Sequence, residues 1–320
     1  KILAHLGVPV RVWPRAPNKI MKIFDCTTFY NENLMLEVRF NILNEFVDKF
    51  VITEAKYSHS GERKKLNFDF NKFKEFKKKI IYLVVDKEPD SLIYETNEKN
   101  EIFEQDKDMR KNSIKRIAYQ RNNLLLGLEE ATDEDYIFYS DNDEIPNFKN
   151  FNFEKNKNKI IIFKQKLFYY KFNLHCDRVD WYGTKGCKKK YLKSFSWLRE
   201  IKTKKYPFLR FDTFFSNNKY IDLKIIEDGG WHFSQLMLPK DIEIKLQNSE
   251  HHDEYKLAKQ DLPNIDDLIR RKVITYDHKA KTSDYKFSNE FRLKTLSMDY
   301  MPLFLSKNVN KYSEWFDFEK

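Results

Sequence analysis

The sequence predicts an α/β fold in which a mostly parallel central sheet is flanked by helices. Three observations carry that expectation. Short apolar runs alternate with segments of helical period through the first 140 residues. The runs close on the carboxylates Glu54, Asp86 and Asp141. With 41% hydrophobic residues, and only 7 glycines and 9 prolines in 320, there is apolar material for a sizeable core and little for long linkers.

Residues 1–20 read differently from the rest. Pro9, Pro14 and Pro17 interrupt a valine-rich stretch, so this part is expected to be an added or disordered leader, with Met21 as the natural start. Residues 22–28 form the first strand, closed by Asn31-Glu32-Asn33, with Asn33 as helix N-cap. Leu36, Phe40, Leu43 and Val47 follow helical spacing, and Met35, Val38 and Ile42 widen the stripe. A second strand spans 49–53 and closes on Glu54. A helical segment at 70–76 leads to a third strand at 80–85, closing on Asp86. The polar stretch 87–108 reads as a mobile loop, and a helix follows over 109–128. Strand and helix in alternation imply right-handed crossovers, which gather the strand-end carboxylates on one edge.

The fourth strand is the most informative. Tyr136-Ile137-Phe138-Tyr139-Ser140 is an apolar run bounded by turn residues, and Asp141-Asn142-Asp143-Glu144-Ile145-Pro146 follows it directly. A strand period of two points Asp141 and Asp143 the same way, toward one cation. Two like charges side by side are costly to bury unless a hard divalent ion neutralises them. Ligands in open α/β sheets bind at the carboxyl ends of the strands. The stretch therefore looks like an Asp-x-Asp site in which a metal holds the diphosphate of an activated sugar.

In the second half, 159–172 has a strand pattern, and a cysteine- and lysine-bearing loop is expected through Lys190. Trp197, Phe208, Phe211, Phe214 and Phe215 fall in a region of expected short strands. Residues 228–234 form a compact glycine-containing turn, and two helices follow, the second capped by Asn264.

Several residues have the chemistry of a site. Arg121 interrupts the apolar face formed by Ile114, Ile117, Ala118, Leu124, Leu125 and Leu128, so its guanidinium needs an anionic partner. His232 is a good third ligand for Mn²⁺, and the indole of Trp231 suits a sugar face. His251-His252-Asp253-Glu254 looks ligand-like, but neighbours on a helix point about 100° apart, which favours a surface role. Trp181 and the tyrosines near Tyr169 could stack on a sugar, but a core or rim position is the stronger expectation for each.

The net charge of +10 resides largely in lysine clusters interspersed with acidic residues, which is the pattern of a solvated face. That basic surface also fits peripheral association with anionic lipid, or an anionic or lipid-diphosphate-linked acceptor. No arginine-aromatic RNA-recognition motif is present, and nucleic acid is not expected as a partner. Three cysteines without metal-ligand spacing fit a reducing, cytoplasmic compartment. No apolar run reaches 18 residues.

The landmarks in order are residues 24–36 with Asn31-Glu32, then Phe50-Val51-Ile52-Thr53-Glu54-Ala55 and His59-Ser60-Gly61. Arg121 with Gly127-Leu128, the 140–146 acidic stretch, Gly230-Trp231-His232-Phe233-Ser234 and the 264–270 helix complete them. Together they resemble glycosyltransferase family 17, the family of the β-1,4-mannosyl-glycoprotein β-1,4-N-acetylglucosaminyltransferases. The resemblance implies a GT-A-like nucleotide-sugar-binding fold, with residues 21–320 as one catalytic domain. Its nucleotide-binding half would be 21–150 and its acceptor-binding half 151–320. It also implies a UDP-N-acetylglucosamine donor, a glycan acceptor, Mn²⁺ or Mg²⁺, and inversion at the anomeric carbon. On this expectation Asp141, Asp143 and His232 hold the metal, and Asn31, Glu32, Glu54, Arg121, Asp141 and Trp231 contact the donor. The base is Asp228 or Glu227, then Glu144, which equally suits orienting the metal ligands. The lysine- and asparagine-rich composition points to a microbial or viral source. Competing expectations are a metal-dependent phosphohydrolase or nuclease, which needs a second metal or a nucleophile, and a non-catalytic carbohydrate-binding protein.

Overall fold

The computed structural model describes residues 21–93, 102–204, 206, 207, 210, 213, 215–248, 255, 263–280, 286, 287 and 289–318. The proposed leader, the 251–254 cluster, and Phe208, Phe211 and Phe214 lie outside the described residues. In chain order the main elements are β1 (Ile23–Phe29), α1 (Asn33–Leu43), β2 (Lys49–Ala55), β3 (Ile80–Val85) and α2 (Ile102–Asn122). Then come β4 (Tyr136–Ser140), β5 (Glu144–Pro146), β6 (Ile160–Tyr169), β7 (Leu174–Lys188) and α3 (Phe195–Glu200). β8 (Leu223–Ile226), β9 (Gly230–Ser234), α4 (Pro239–Asn248) and α5 (Ile265–Arg271) follow.

The first four long strands pair in parallel in the order β3-β2-β1-β4, as the alternation predicts. β7 joins β4 antiparallel, β6 pairs antiparallel with β7, and β9 runs parallel to β6 and antiparallel to β5. The sheet is thus parallel on one side and mixed on the other, with helices packed against it. Both faces of β4 are buried, which is why its sequence shows no polar alternation. Tyr136 and Phe138 enter a phenylalanine-rich core with Phe40, Phe50 and Phe148. Ile137 and Tyr139 face the opposite core with Phe24, Val51, Leu124 and Leu198.

This topology locates a crevice. From β1 the chain proceeds outward to β2 and β3, then returns through α2 to place β4 on the other side of β1. The strand order reverses between β1 and β4, and ligands of open α/β sheets sit at the carboxyl ends of such a reversal.

Several local expectations change. The stretch through Lys190, expected as a loop, is largely the 15-residue strand β7. Its charges and two glycines hide any apolar period, because it is recruited by neighbours on both sides rather than by its own alternation. Gly183 allows a close approach: a Cβ there would lie 2.0 Å from Gln165 Oε1 and 2.7 Å from the Glu144 carboxyl carbon. α2 starts seven residues before the expected Met109 and passes into a 3₁₀ segment at Asn123–Leu128. Its buried line is Ser113, Arg116, Gln120 and Leu124, whereas Ile114 and Leu125 are exposed. The helix crosses the carboxyl side of β1 and β2, and Gln120 donates to the carbonyls of Phe29 (3.3 Å) and Thr53 (2.9 Å). The helical segment at 70–76 contracts to a 3₁₀ turn, Lys74–Phe76. The Trp197 region is the helix α3, capped by Ser194, whose Oγ accepts from Trp197 N–H at 3.1 Å. Asn33 is the first helical residue rather than the cap. The Asn264 cap of α5 is present, its Oδ1 accepting from Asp266 N–H at 2.8 Å.

Candidate functional site

β4 delivers the acidic segment to the mouth of the crevice, but the strand stops at Ser140. Asp141 to Glu144 form a turn closed by the Glu144 N–H on the Asp141 carbonyl at 3.0 Å. The period of two therefore lapses before Asp143, and the two aspartates have different partners. Asp141 accepts from Arg199 at 2.7 Å and from the Tyr139 hydroxyl at 2.8 Å, with Arg121 at 3.9 Å. Asp143 lies 3.5 Å from His232 Nε2 and 3.5 Å from Lys245 Nζ, and the same ammonium is 3.1 Å from Glu32 Oε1. Register explains the histidine: β9 pairs with β5 so that His232 stands opposite Glu144. The β9 entry turn needs Gly230, at φ +125°, because a Cβ would fall 2.2 Å from the Ile145 carbonyl oxygen.

The turn is fixed from beneath by Arg39, which is fully buried on α1. Its guanidinium makes a bidentate pair with Asp25 (2.7 and 2.6 Å) and donates to Ser140 Oγ (2.8 Å) and the Glu144 carbonyl (2.6 Å). Glu144 is also buried. It accepts from the Trp181 indole N–H (2.7 Å) and the Asp141 N–H (3.1 Å), and lies 3.1 Å from Arg199.

These surroundings set the charges. Burial raises the pKa of Asp141, but Arg199 and Arg121 outweigh it, so the group is held below its ordinary value. For Asp143 burial is likewise outweighed, by Lys245 and His232, and its pKa falls. Glu32 is lowered too, because Lys245 and the Asn31 N–H overcome burial and the nearby Asp143 charge. Glu144 goes the other way: burial raises it, and Arg199 offsets only part. Lys245 is raised, since Glu32 and Asp143 outweigh its burial.

Above the turn is a cavity of about 280 Å³, lined by Thr28 to Tyr30 at the end of β1, by Arg121, and by Glu32, Asp141, Asp143 and His232. A sequence profile of glycosyltransferase family 17 matches residues 9–313, nearly the whole chain. The chain belongs to glycosyltransferase family 17. It is therefore a glycosyltransferase, which moves a sugar from a donor to an acceptor, and the phosphohydrolase and non-catalytic lectin expectations fall away. Two solved structures are similar to it in part. The inositol-1-phosphate CTP transferase from T. maritima is 15% identical, with 70% of this chain and 94% of that chain covered at a TM-score of 0.31. HddC from Yersinia pseudotuberculosis is 10% identical, with 64% and 90% covered at a TM-score of 0.27. Among curated proteins none matches. Among the described residues no helix is long and apolar enough to cross a membrane.

In this family 17 enzyme the crevice brings together Glu32, Arg121, Asp141, Asp143 and His232. It does not gather the rest of the expected set. Asn31 sits beside Glu32, outside the cavity lining, and its Oδ1 is buried without a partner among the described residues. Glu54 lies outside the cavity lining. Its carboxylate is occupied by Lys64 (2.5 Å), the Asn67 and Phe68 N–H groups (2.7 and 3.2 Å) and the Tyr82 hydroxyl (2.7 Å). Trp231 alternates to the opposite side of β9 from His232. It lines a separate, larger groove of about 590 Å³ and donates to the Tyr300 carbonyl at 2.7 Å. Glu227 and Asp228 are mostly exposed in the turn before β9, paired with Lys164 (3.3 Å) and Lys166 (2.8 Å) away from the cavity. Asp228 has φ +46°, a conformation Asp tolerates, so its place there is that of a turn residue.

Sequence reasoning missed Arg39, Arg199 and Lys245. Arg39 carries a readable signal, since it follows Leu36 by three within the apolar stripe of α1. Arg199 and Lys245 carry none, because their roles depend on where α3 and α4 dock. As for a metal, carboxylates and an imidazole are suitable donors for Mn²⁺ or Mg²⁺. Among the described residues no three such groups form a self-sufficient ion cage. The Lys245 ammonium between Glu32 and Asp143 marks a place that already selects positive charge.

Proposed function

We propose that this glycosyltransferase binds a nucleoside-diphosphate sugar, UDP-N-acetylglucosamine first among candidates, over the 141–144 turn, and transfers the sugar with inversion to a glycan hydroxyl. The observation that carries this reading is the charge pattern of one cavity at the β1/β4 reversal, where Asp141 and Asp143 are kept ionised beside Arg121, Arg199 and Lys245. The parallel β3-β2-β1-β4 half, with its ligand crevice at the strand ends, is what a GT-A-like nucleotide-sugar fold requires.

In this reading Asp143 and His232 hold Mn²⁺ or Mg²⁺, with Asp141 joining directly or through water. The ion, when bound, neutralises the departing diphosphate. Arg121 supplies further positive charge at the same end. The β1 end, Thr28 to Tyr30, faces the nucleoside. Glu144 is a positioning residue: buried and bonded to Trp181, Arg199 and the Asp141 N–H, it orients the turn and does not meet an acceptor hydroxyl. Inversion needs a carboxylate to take the acceptor proton as the hydroxyl attacks. Glu32 is the ionised carboxylate lining the cavity that the ion does not use.

The test is transfer from UDP-N-acetylglucosamine with and without chelator, alongside thermal shift. A ligand at 100 times its Kd should stabilise the fold by about 2.7 kcal/mol. Asp143→Asn is expected to abolish metal-dependent turnover while its melting transition persists. Near-normal turnover in that variant would sink the metal assignment, and no stabilisation by any UDP-sugar would sink the donor assignment.

A further inference from the structure

A second cavity, about 290 Å³, adjoins the first, and Asp143, Trp181, His232 and Lys245 line both. Its other walls come from the second half of the chain and are mostly aromatic or aliphatic, with Tyr169, Tyr276, His278, Leu268 and Ile274 among them and Ser234, Gln235 and Thr275 as uncharged polar groups. The aromatic groups interlock. The Trp181 and His232 rings are 4.4 Å apart, Trp181 and His278 are 5.9 Å apart, and Tyr276 and His278 are 4.9 Å apart. The Tyr169 hydroxyl and His278 Nε2 lie at 2.5 Å. Beyond the shared Asp143 and Lys245, the described lining holds no Asp, Glu, Lys or Arg.

One polar group in the common wall is unsatisfied. His232 is 6% exposed, and its Nδ1 is buried without a hydrogen-bond partner among the described residues. Buried polar atoms of native proteins are nearly always paired, so an unmet one between two cavities calls for a ligand group. Small-molecule sites are mostly apolar concavities with a few polar atoms that fix orientation, and this cavity stands at the small end of their range. Aromatic faces pack against the C–H faces of a sugar ring, and a charged ring would enter without a counter-charge beyond those already engaged.

We propose that this aromatic cavity is the acceptor subsite, that it seats one neutral pyranose ring, and that a ring hydroxyl meets His232 Nδ1 in the wall shared with the donor cavity. The proposal rests on the donor reading above for which side is which. It also departs from the expectation that the basic surface of the protein selects an anionic acceptor. None of Lys64, Lys65, Lys77 to Lys79 and Lys188 to Lys190 lines this cavity, and a chamber whose only Asp or Lys groups are the mutually paired Asp143 and Lys245 favours a neutral sugar. His278 fits that character, because burial holds its pKa down at about 4 and leaves it uncharged at neutral pH.

The experiment uses the whole protein with UDP present and a panel of methyl glycosides as probes: α-mannoside, β-N-acetylglucosaminide, β-galactoside and, as the charged control, β-glucuronide. Saturation-transfer NMR is expected to detect at least one neutral glycoside and not the glucuronide. Tyr276→Ala, which alters a residue outside the donor cavity, should raise the acceptor KM at least tenfold with the UDP-sugar thermal shift unchanged. Binding of the glucuronide alone, silence from every neutral glycoside, or an unchanged acceptor KM in Tyr276→Ala would each overturn the subsite. The NMR arm needs only the wild-type chain, so the proposal stays exposed even if that variant fails to fold. A missing UDP-sugar thermal shift in the wild type would instead remove the donor reading, while neutral-glycoside binding still reported on this cavity.

Discussion

Replacing Arg39 by methionine separates what stabilises the fold from what shapes the site. The side chains of Arg39 and Asp25 are 0% and 1% exposed, so deleting the guanidinium leaves a buried carboxylate facing an apolar group. Four good hydrogen bonds disappear: two to Asp25, one to Ser140 Oγ and one to the Glu144 carbonyl. Breaking a buried ion pair by removing one partner costs about 3–5 kcal/mol, a large share of the roughly 5–15 kcal/mol that holds a domain together. In a large domain that corresponds to a fall in Tm of roughly 5–15 °C. Replacing both partners by apolar side chains, Arg39→Met with Asp25→Leu, should recover most of the loss, because no uncompensated charge remains. Turnover should not recover, since Ser140 and the Glu144 carbonyl still lack the anchor that sets the 141–144 turn. Scanning calorimetry on both variants, with donor turnover measured alongside, decides the matter. A single variant melting within about 2 °C of wild type, or a double variant as active as wild type, would refute this account.

Two further outcomes are expected. Glu227→Gln and Asp228→Asn should each leave the rate of transfer within about threefold of wild type, as both side chains are largely in solvent and outside the cavity. A loss of two orders of magnitude in either would restore that residue as the catalytic base. Stability should fall on acidification from about pH 6.5 to 4, because burial holds His59 and His278 down at about 4 in the fold against about 6.5 in the unfolded chain. Over that window the unfolded state binds more protons, and the raised Glu144 opposes the trend only in part. Tm measured against pH, with His278→Gln, should show a shallower slope in the variant; identical slopes would remove His278 as a contributor.

Much of the sheet was legible in the residues. The β1 to β4 strands are legible as short apolar runs and α1 by its helical period, and Pro146 and the acidic cluster mark the end of the strand path. Arg121 was legible as a charge in need of a partner, and Asp141 lies 3.9 Å away, although the apolar face expected around it is not the buried one. β7 was not, because its 15 residues pair through the backbone with neighbours on two sides and carry charges and glycines that mimic a loop. The buried face of α2 was misplaced because polar partners receive much of it: Gln120 donates to the Phe29 and Thr53 carbonyls and Arg116 pairs with Glu88. Glu54, Trp231, Glu227 and Asp228 had the right chemistry in the sequence and different positions in space.

The sequence by itself determined the family, the parallel half of the sheet and the arrival of an acidic segment at its carboxyl edge, because each follows from local period and residue order. Only the tertiary structure decided that Asp141 and Asp143 part company at the turn, and that Arg39, Arg199 and Lys245 supply the charge around them. It also decided that a second, aromatic cavity shares the wall of His232. Such juxtapositions come from docking segments far apart in the chain, where Arg39 and Glu144 are separated by 105 residues, and no local pattern encodes the meeting.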